Sequence, residues 1–161
     1  MGERVAKNGA LIAMCAAVLL LVLSAAQKGH AIGMTSGRNP LGSEAETRAV
    51  VERFNDAFNR HDADTIALLL TDDTVFEDTS PAPDGKRIEG RARVIAFWRE
   101  WFSRHSDARF ESEEMIVTGD RAVVRWVYRK MRNGQPWHLR GVDLFTVRDG
   151  KVAAKLAYVK G

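Results

Sequence analysis

Two aspartates stand in surroundings that change what a carboxyl group can do. Asp143 lies in the alternating stretch Trp137 to Phe145, where one face carries Trp137, Leu139, Gly141, Asp143 and Phe145 and the other His138, Arg140, Val142 and Leu144. An acid thus shares a strand face with large apolar side chains. In such company a carboxyl group tends to stay protonated unless a cation meets it, which leaves two readings, an acid catalyst or an ion-pair partner. Arg125, on the neighbouring expected strand, is the candidate cation, and a purely structural Asp143–Arg125 pair stays open beside the catalytic reading. Asp78 shares a face with Phe76 at the end of a short expected strand, beside a loop containing Pro81 and Pro83 that would form a pocket mouth. Strand ends bordering loops are common places for catalytic groups. The alternative for Asp78 is to cap the Thr79-Ser80 turn. As a pair, one carboxylate ionised at the mouth and one kept neutral deeper in would suit proton abstraction next to a carbonyl, the deeper acid stabilising the enolate.

Other chemistries find less support. No His, Cys or carboxylate cluster has metal-ligand spacing, so no metal is expected, and no Gly-x-Ser-x-Gly elbow supports a nucleophilic serine. His61 and His105 sit at expected helix ends, where histidines are usually solvated caps, and His138 faces away from Asp143. Trp98, Trp101, Trp126, Tyr128 and Trp137 would either line an aromatic pocket for a flat ligand or serve as core and dimer interface. The net charge of +3 is small and the basic residues are scattered, which excludes the basic stripe that phosphate binding needs, so nucleic acid is not expected as a partner.

These groups need a scaffold, and 161 residues with 45% apolar and 28% charged content fit one ordinary globular domain. Arg4 and Lys7 precede an uncharged run from Ala10 to Ala26 ending in Ser24-Ala25-Ala26, the order of a signal peptide. Residues 1–26 are therefore expected to be a cleaved signal and the protein secreted or periplasmic. The alternative is an uncleaved membrane anchor facing outside the cytoplasm, because the run is about as long as the shortest membrane-spanning helices, ~17–25 residues. The only cysteine, Cys15, lies inside that run, so the body has no thiol. Residues 27–42 read as a flexible lead-in and 43–161 as the domain.

Within the domain, Ser43 followed by Glu46 resembles a capping box, and Val50, Val51, Phe54, Ala57 and Phe58 recur at helical spacing, predicting a helix over 44–60. A second short helix is expected over 63–70, a short strand over 74–78 and a third helix from Gly90 to Arg104. Strands follow over 109–118, 121–131, 137–148 and 151–159, with turns at Gly119-Asp120, Asn133-Gly134 and Asp149-Gly150, the last two being strong hairpin dipeptides. Three helices and a long meander make an α+β domain whose helices cover one face of a curved, mostly antiparallel sheet.

Several strings in this order resemble the nuclear transport factor 2-like superfamily, which includes ketosteroid isomerases and SnoaL-like polyketide cyclases. They are Val50-Val51-Glu52-Arg53-Phe54, Asn59 to Asp64, Asp72 to Asp78, Ile88-Glu89-Gly90-Arg91, and Val142-Asp143-Leu144-Phe145 leading to Arg148-Asp149-Gly150-Lys151-Val152. The resemblance implies a cone-shaped fold enclosing a pocket for a small hydrophobic ligand, no cofactor, and a homodimer through the convex face of the sheet. It also implies Asp78 as the proton-shuttling base and Asp143 as the protonated acid of the ketosteroid isomerases, with Phe54 at the position of their oxyanion-hole tyrosine and Leu70 and Trp98 at those of the supporting tyrosines. Losing one oxyanion donor typically costs ~10²–10³ in rate. Phe54, Phe76, Trp98, Arg125 and Trp137 are the expected substrate-binding residues. Two functions remain: an isomerase, cyclase or lyase acting on a hydrophobic carbonyl compound by carboxylate acid–base chemistry, or a non-catalytic ligand-binding or dimerisation domain.

Overall fold

The computed structural model describes residues 43–160; the expected signal segment and lead-in, with Cys15, lie outside the described residues. Helix α1 spans Glu44–Asn59, with Ser43 accepting a hydrogen bond from the Glu46 N–H at its start. It buries Thr47, Val50, Val51, Phe54, Ala57 and Phe58, a stripe at three- and four-residue spacing. Asp62 caps α2, Ala63–Leu68, through the Thr65 N–H. These two helices precede the first strand, and the third, α3 (Arg91–Arg104), is inserted between the second and third strands. It turns Val94, Ile95, Trp98 and Phe102 inward.

Six strands form one curved sheet in the order β2-β1-β6-β5-β4-β3. They are β1 (Leu70–Glu77), β2 (Arg87–Glu89), β3 (Arg109–Thr118), β4 (Arg121–Arg132), β5 (Gln135–Arg148) and β6 (Lys151–Val159). All neighbours are antiparallel except β1 and β6. The first strand is longer than its expected core because Leu70 and Thr71 are already buried in the sheet. The three-residue β2 is absent from the sequence expectation; it exists by pairing with β1. The hairpins turn at Asn133-Gly134 and Asp149-Gly150 with positive φ at both central residues, the conformation that matches strand twist in a two-residue loop.

Two bulges decide which side chains enter the concave face. Register shifts between Ser112 and Glu114, so Phe110 and Ser112 face inward before the bulge and Met115 and Val117 pack on the core after it. On β6, Thr146 faces Ala154 while Val147 faces Val152, leaving Ala153 as an extra residue. That insertion switches the parity of the strand and brings Lys155 to the inside, opposite Phe145 on β5 and Phe76 on β1. The helices are tied to the sheet by side-chain amides and hydroxyls. Asn59 donates to the Phe110 carbonyl and accepts from the Phe110 N–H, both at 2.8 Å, taking the place of a neighbouring strand. Thr47 donates to the Gly119 carbonyl at 2.8 Å.

Candidate active site

Between α3, the end of β1 and the concave face of β4–β6 lies a cavity of about 500 Å³. Aromatic rings make most of its wall, Trp98 and Trp101 from α3 and Phe110, Trp126, Tyr128 and Trp137 from the sheet. Beside it, a smaller space of about 30 Å³ is lined in addition by Phe54, Val124, the part-exposed Asn55 and the exposed Ser112. Phe58, Trp98, Phe110, Trp126, Asp143 and Lys155 line both spaces.

Asp143 is 4% exposed, and its Oδ2 lies 2.7 Å from Lys155 Nζ. Of the two readings open for this buried acid, the structure shows the ion pair, and the cation is Lys155. The expectation for Arg125 is corrected: Asp143 faces Val124 across the ladder, so Arg125, one residue on, points to the opposite side of the sheet. There it is exposed and pairs with Glu113 and Glu114. Arg125 therefore belongs to the convex surface and not to the cavity. In place of an isolated acid among apolar side chains, the geometry gives Asp143 an ammonium at hydrogen-bond distance. Lys155 is surrounded by rings, with the centroids of Phe76, Phe145 and Trp98 at 5.4, 5.7 and 6.0 Å from its Nζ. Cation–π attraction thus offsets part of the water this ammonium loses. The sequence signal for Lys155 is weak, because simple alternation along β6 places it with Lys151 on a solvent-facing side.

Asp78 follows the last residue of β1 and lines the same cavity near its mouth. Its N–H donates to the Lys86 carbonyl at 2.9 Å, and its Oδ1 accepts the Thr79 N–H at 2.8 Å. The turn-capping contact and the place in the cavity therefore coexist. Glycine at position 85 holds this arrangement: φ there is +75°, and a Cβ would fall 1.7 Å from the Asp78 carbonyl oxygen. Burial pushes the Asp78 carboxyl above its ordinary value of 3.8, against the Thr79 N–H and the charges of Lys155, His105 and Lys86. His105 is the neighbour whose role sequence position understated. Its Nδ1 lies 2.8 Å from the Trp101 carbonyl, its ring stacks on Trp101 at 4.4 Å, and the residue lines the cavity. Burial, with a smaller contribution from Asp107, pushes the Tyr128 phenol up to about 12, which keeps it a neutral hydrogen-bond donor.

Of the expected substrate-binding residues, Phe76, Trp98 and Trp137 line the main cavity, and Phe54, 1% exposed, lines only the smaller space beside it. Among the described residues no group of three His, Cys, Asp or Glu side chains is arranged to hold a metal ion.

A curved sheet wrapped on helices around an aromatic cavity with carboxylates at mouth and floor defines the class of small cone-shaped pocket proteins. The model of the SnoaL-like domain matches residues 51–155, and the chain belongs to that family. Its fold is shared with a nuclear transport factor 2-like protein of unknown function from Mesorhizobium loti, 37% identical over 73% of this chain and 93% of that one, with a TM-score of 0.65. A candidate polyketide cyclase from Sinorhizobium meliloti is 26% identical over 72% of this chain and 99% of that one, TM-score 0.58. A candidate ketosteroid isomerase from Kribbella flavida, 23% identical over 73% and 79%, TM-score 0.61, shares the fold. No match was found among curated proteins.

Proposed function

We propose that this chain is a cofactor-independent isomerase or cyclase that moves a proton next to a carbonyl group in a small hydrophobic compound. The observation that carries it is the presence of Asp78 and the Asp143–Lys155 pair on the walls of one aromatic cavity. Asp78 is the base. A carboxylate whose burial has pushed it upward accepts a carbon-bound proton more readily than an exposed one, and a positioned general base contributes ~10²–10⁴ in rate. The Lys155 ammonium, held by Asp143, is the cation of the cavity lining assigned to the charge that develops on the carbonyl oxygen, a task the missing hydroxyl at Phe54 leaves open. The resemblance to isomerases and cyclases supports the reaction type, while the fold alone is compatible with many.

The test is hydrogen exchange. A panel of aryl and cyclic ketones is incubated with the protein in deuterated water and loss of the α-proton signals is followed by NMR. Exchange above buffer that disappears in Asp78→Asn is the expected result; exchange unchanged in that variant, or absent for the whole panel, removes the catalytic reading.

A second role is favoured by the convex face. Ile116, Val123, Leu144 and Leu156 face one another in register across β3 to β6, and the first three are 58%, 37% and 36% exposed. We infer that this apolar row forms a homodimer, a large exposed apolar patch being costly to leave in water. Light scattering of wild type and Leu144→Glu distinguishes the cases, since an unchanged mass in the variant contradicts a dimer through this row. We also infer export through residues 1–26; N-terminal sequencing of the secreted protein is expected to begin at Gln27, and an intact Met1 in a membrane fraction supports the anchor instead. Among the described residues no helix is long and apolar enough to cross a membrane.

A further inference from the structure

The lysines and arginine of the cavity lining are Arg104, Lys130 and Lys155. Two of them are engaged. Lys155 is paired with Asp143 at 2.7 Å, and Arg104 with Glu100, one turn back on α3, at 2.8 Å. Lys130 is in none of the ion pairs among the described residues. Asp107, whose carboxyl feels its charge, is exposed and already accepts the Met131 N–H at 2.7 Å. What the Lys130 ammonium meets is aromatic: it lies 5.8 Å from the Tyr128 centroid and 5.7 Å from that of Trp137, and both rings line the cavity. Arg132 brings a second positive charge beside Trp137, also at 5.7 Å. The direction of Lys130 is set by β4, where Val124, Trp126, Tyr128 and Lys130 share the concave face in an unbroken register against β5. Six residues separate Lys130 from Val124, the partner of Asp143, which is about 20 Å on a straight strand and less on a curved one. The cavity thus has a half-buried cation at its rim, remote from the ion pair at its floor.

We propose that the compound this cavity accepts is an elongated, flat acid with a hydrophobic body, whose carboxylate lies against Lys130 at the rim, at the end opposite the carbonyl group. The inference rests on the catalytic reading above for the identity of the site and adds the substrate class, a keto acid with its two functional groups at opposite ends. Charge selects this orientation. A carboxylate at the floor would compete with Asp143 for Lys155, and one at the end of β1 would face the like charge of Asp78. On β4, separated from β1 by β6 and β5 in the sheet, it meets an ammonium that has no acid to give up. Flatness follows from the walls on the way, where Phe110 stacks on Tyr128 at 4.8 Å and Trp137 stands edge-on to Tyr128. A cavity of about 500 Å³ is of the size that encloses drug-sized ligands. The competing account of Lys130 is a stem that covers two rings and holds its ammonium in water, with no ligand involved.

Calorimetric titration of the intact chain with 2-naphthoate and 2-naphthamide, which share a shape and differ in charge, tests the rim without reference to turnover. The naphthoate is expected to bind about fivefold more tightly than the amide at low salt, the strength of a well-formed ion pair open to solvent. That advantage is expected to shrink as salt is raised, while amide binding does not change. Lys130→Met keeps a stem over the rings and removes the charge, so the preference is expected to fall below about twofold with amide affinity retained. Lys130→Arg is expected to keep the preference. The wild-type comparison and its salt dependence do not require any variant to fold. Equal binding of acid and amide by wild type, no binding of either, or a preference that Lys130→Met leaves intact overturns the proposal. A loss of both affinities alike in Lys130→Met also overturns it, because the stem then only packs. Should the acid preference hold while no ketone exchanges its α-proton, only the catalytic reading falls. Should exchange depend on Asp78 while acid and amide bind equally, the rim site falls and Asp78 stays in place.

Discussion

Replacing Lys155 with methionine isolates the charge of Asp143 while keeping most of the volume. The pair is 2.7 Å apart, with side chains 10% and 5% exposed. At an effective dielectric of about 20, unit charges at this separation attract by about 6 kcal/mol. Burial removes several kcal/mol of hydration from each ion, so the intact pair contributes little net stability. Removing one partner is different: a stranded buried charge typically costs ~3–5 kcal/mol. The cost has a ceiling, because the carboxyl can enter the fold as a neutral acid. Taking up a proton at pH 7 costs an ordinary carboxyl about 4 kcal/mol. Lys155→Met is therefore expected to lose about 3–4 kcal/mol at pH 7. The sign of the pH dependence follows from the extra proton held by the folded variant. A stranded buried carboxylate is relieved when it takes up a proton, so the penalty is expected to be smaller at pH 5 than at pH 7. Urea denaturation of wild type and variant at both pH values reads the difference directly. The double variant Lys155→Met/Asp143→Leu is expected within about 1 kcal/mol of wild type, both charges being gone. A penalty below about 1 kcal/mol at pH 7, or one that is the same at pH 5, would refute the buried pair as the feature that holds the cavity floor.

Three further outcomes follow from the same geometry. Burial raises the Asp78 carboxyl above 3.8, so the folded state is penalised at pH values above the shifted window and unpenalised below about pH 3.8. Asp78→Asn is thus expected to melt higher than wild type at pH 7, with the gain fading as pH falls towards 4, and a lower melting temperature at pH 7 contradicts this. Gly141→Ala places a methyl 2.4 Å from the Trp126 ring and 2.2 Å from the Tyr158 carbonyl oxygen. Overpacking of this kind costs about 1–3 kcal/mol, to be read from the urea midpoint, and displaces the indole, to be read from tryptophan fluorescence. Asn59→Ala cuts both hydrogen bonds to the Phe110 backbone and is expected to cost about 1–3 kcal/mol by the same measurement.

The helices and the four-strand meander were legible because their signals are local. The periodicity from Val50 to Phe58 records one buried face, and Asn133-Gly134 and Asp149-Gly150 specify their turns through backbone conformation alone. The alternation from Trp137 to Phe145 placed Asp143 inside correctly for the same reason. Its partner was illegible. An unpaired Ala153 shifts the parity of β6, so Lys155 reads as a solvent-facing residue while the fold turns it inward, and Arg125 looks like the natural cation while the fold turns it outward. Bulges depend on pairing between strands distant in sequence, so a period-two pattern gives no warning of them. The strand β2 escaped for a related reason: three residues acquire strand structure only when β1 lies beside them.

The pair also alters what kind of catalysis the cavity can support. With Asp78 ionised, the cavity lining holds two carboxylates, the ammonium groups of Lys155 and Lys130 and the Arg104 guanidinium, and proton transfer to Asp78 moves one negative charge from the mouth to the ligand oxygen without changing the total. The barrier therefore depends on whether that charge is better stabilised near the floor than at the mouth. Burial favours the transfer by making the Asp78 carboxylate costly, and Lys155, whose charge is felt at Asp78, favours it further only where the ligand oxygen lies closer to Nζ than Asp78 does. The developing charge is consequently best held towards Lys155. Lys155→Met should therefore slow α-proton exchange of a bound ketone more than it weakens binding of that ketone, and an exchange rate equal to wild type would show that Lys155 does not face the reacting oxygen.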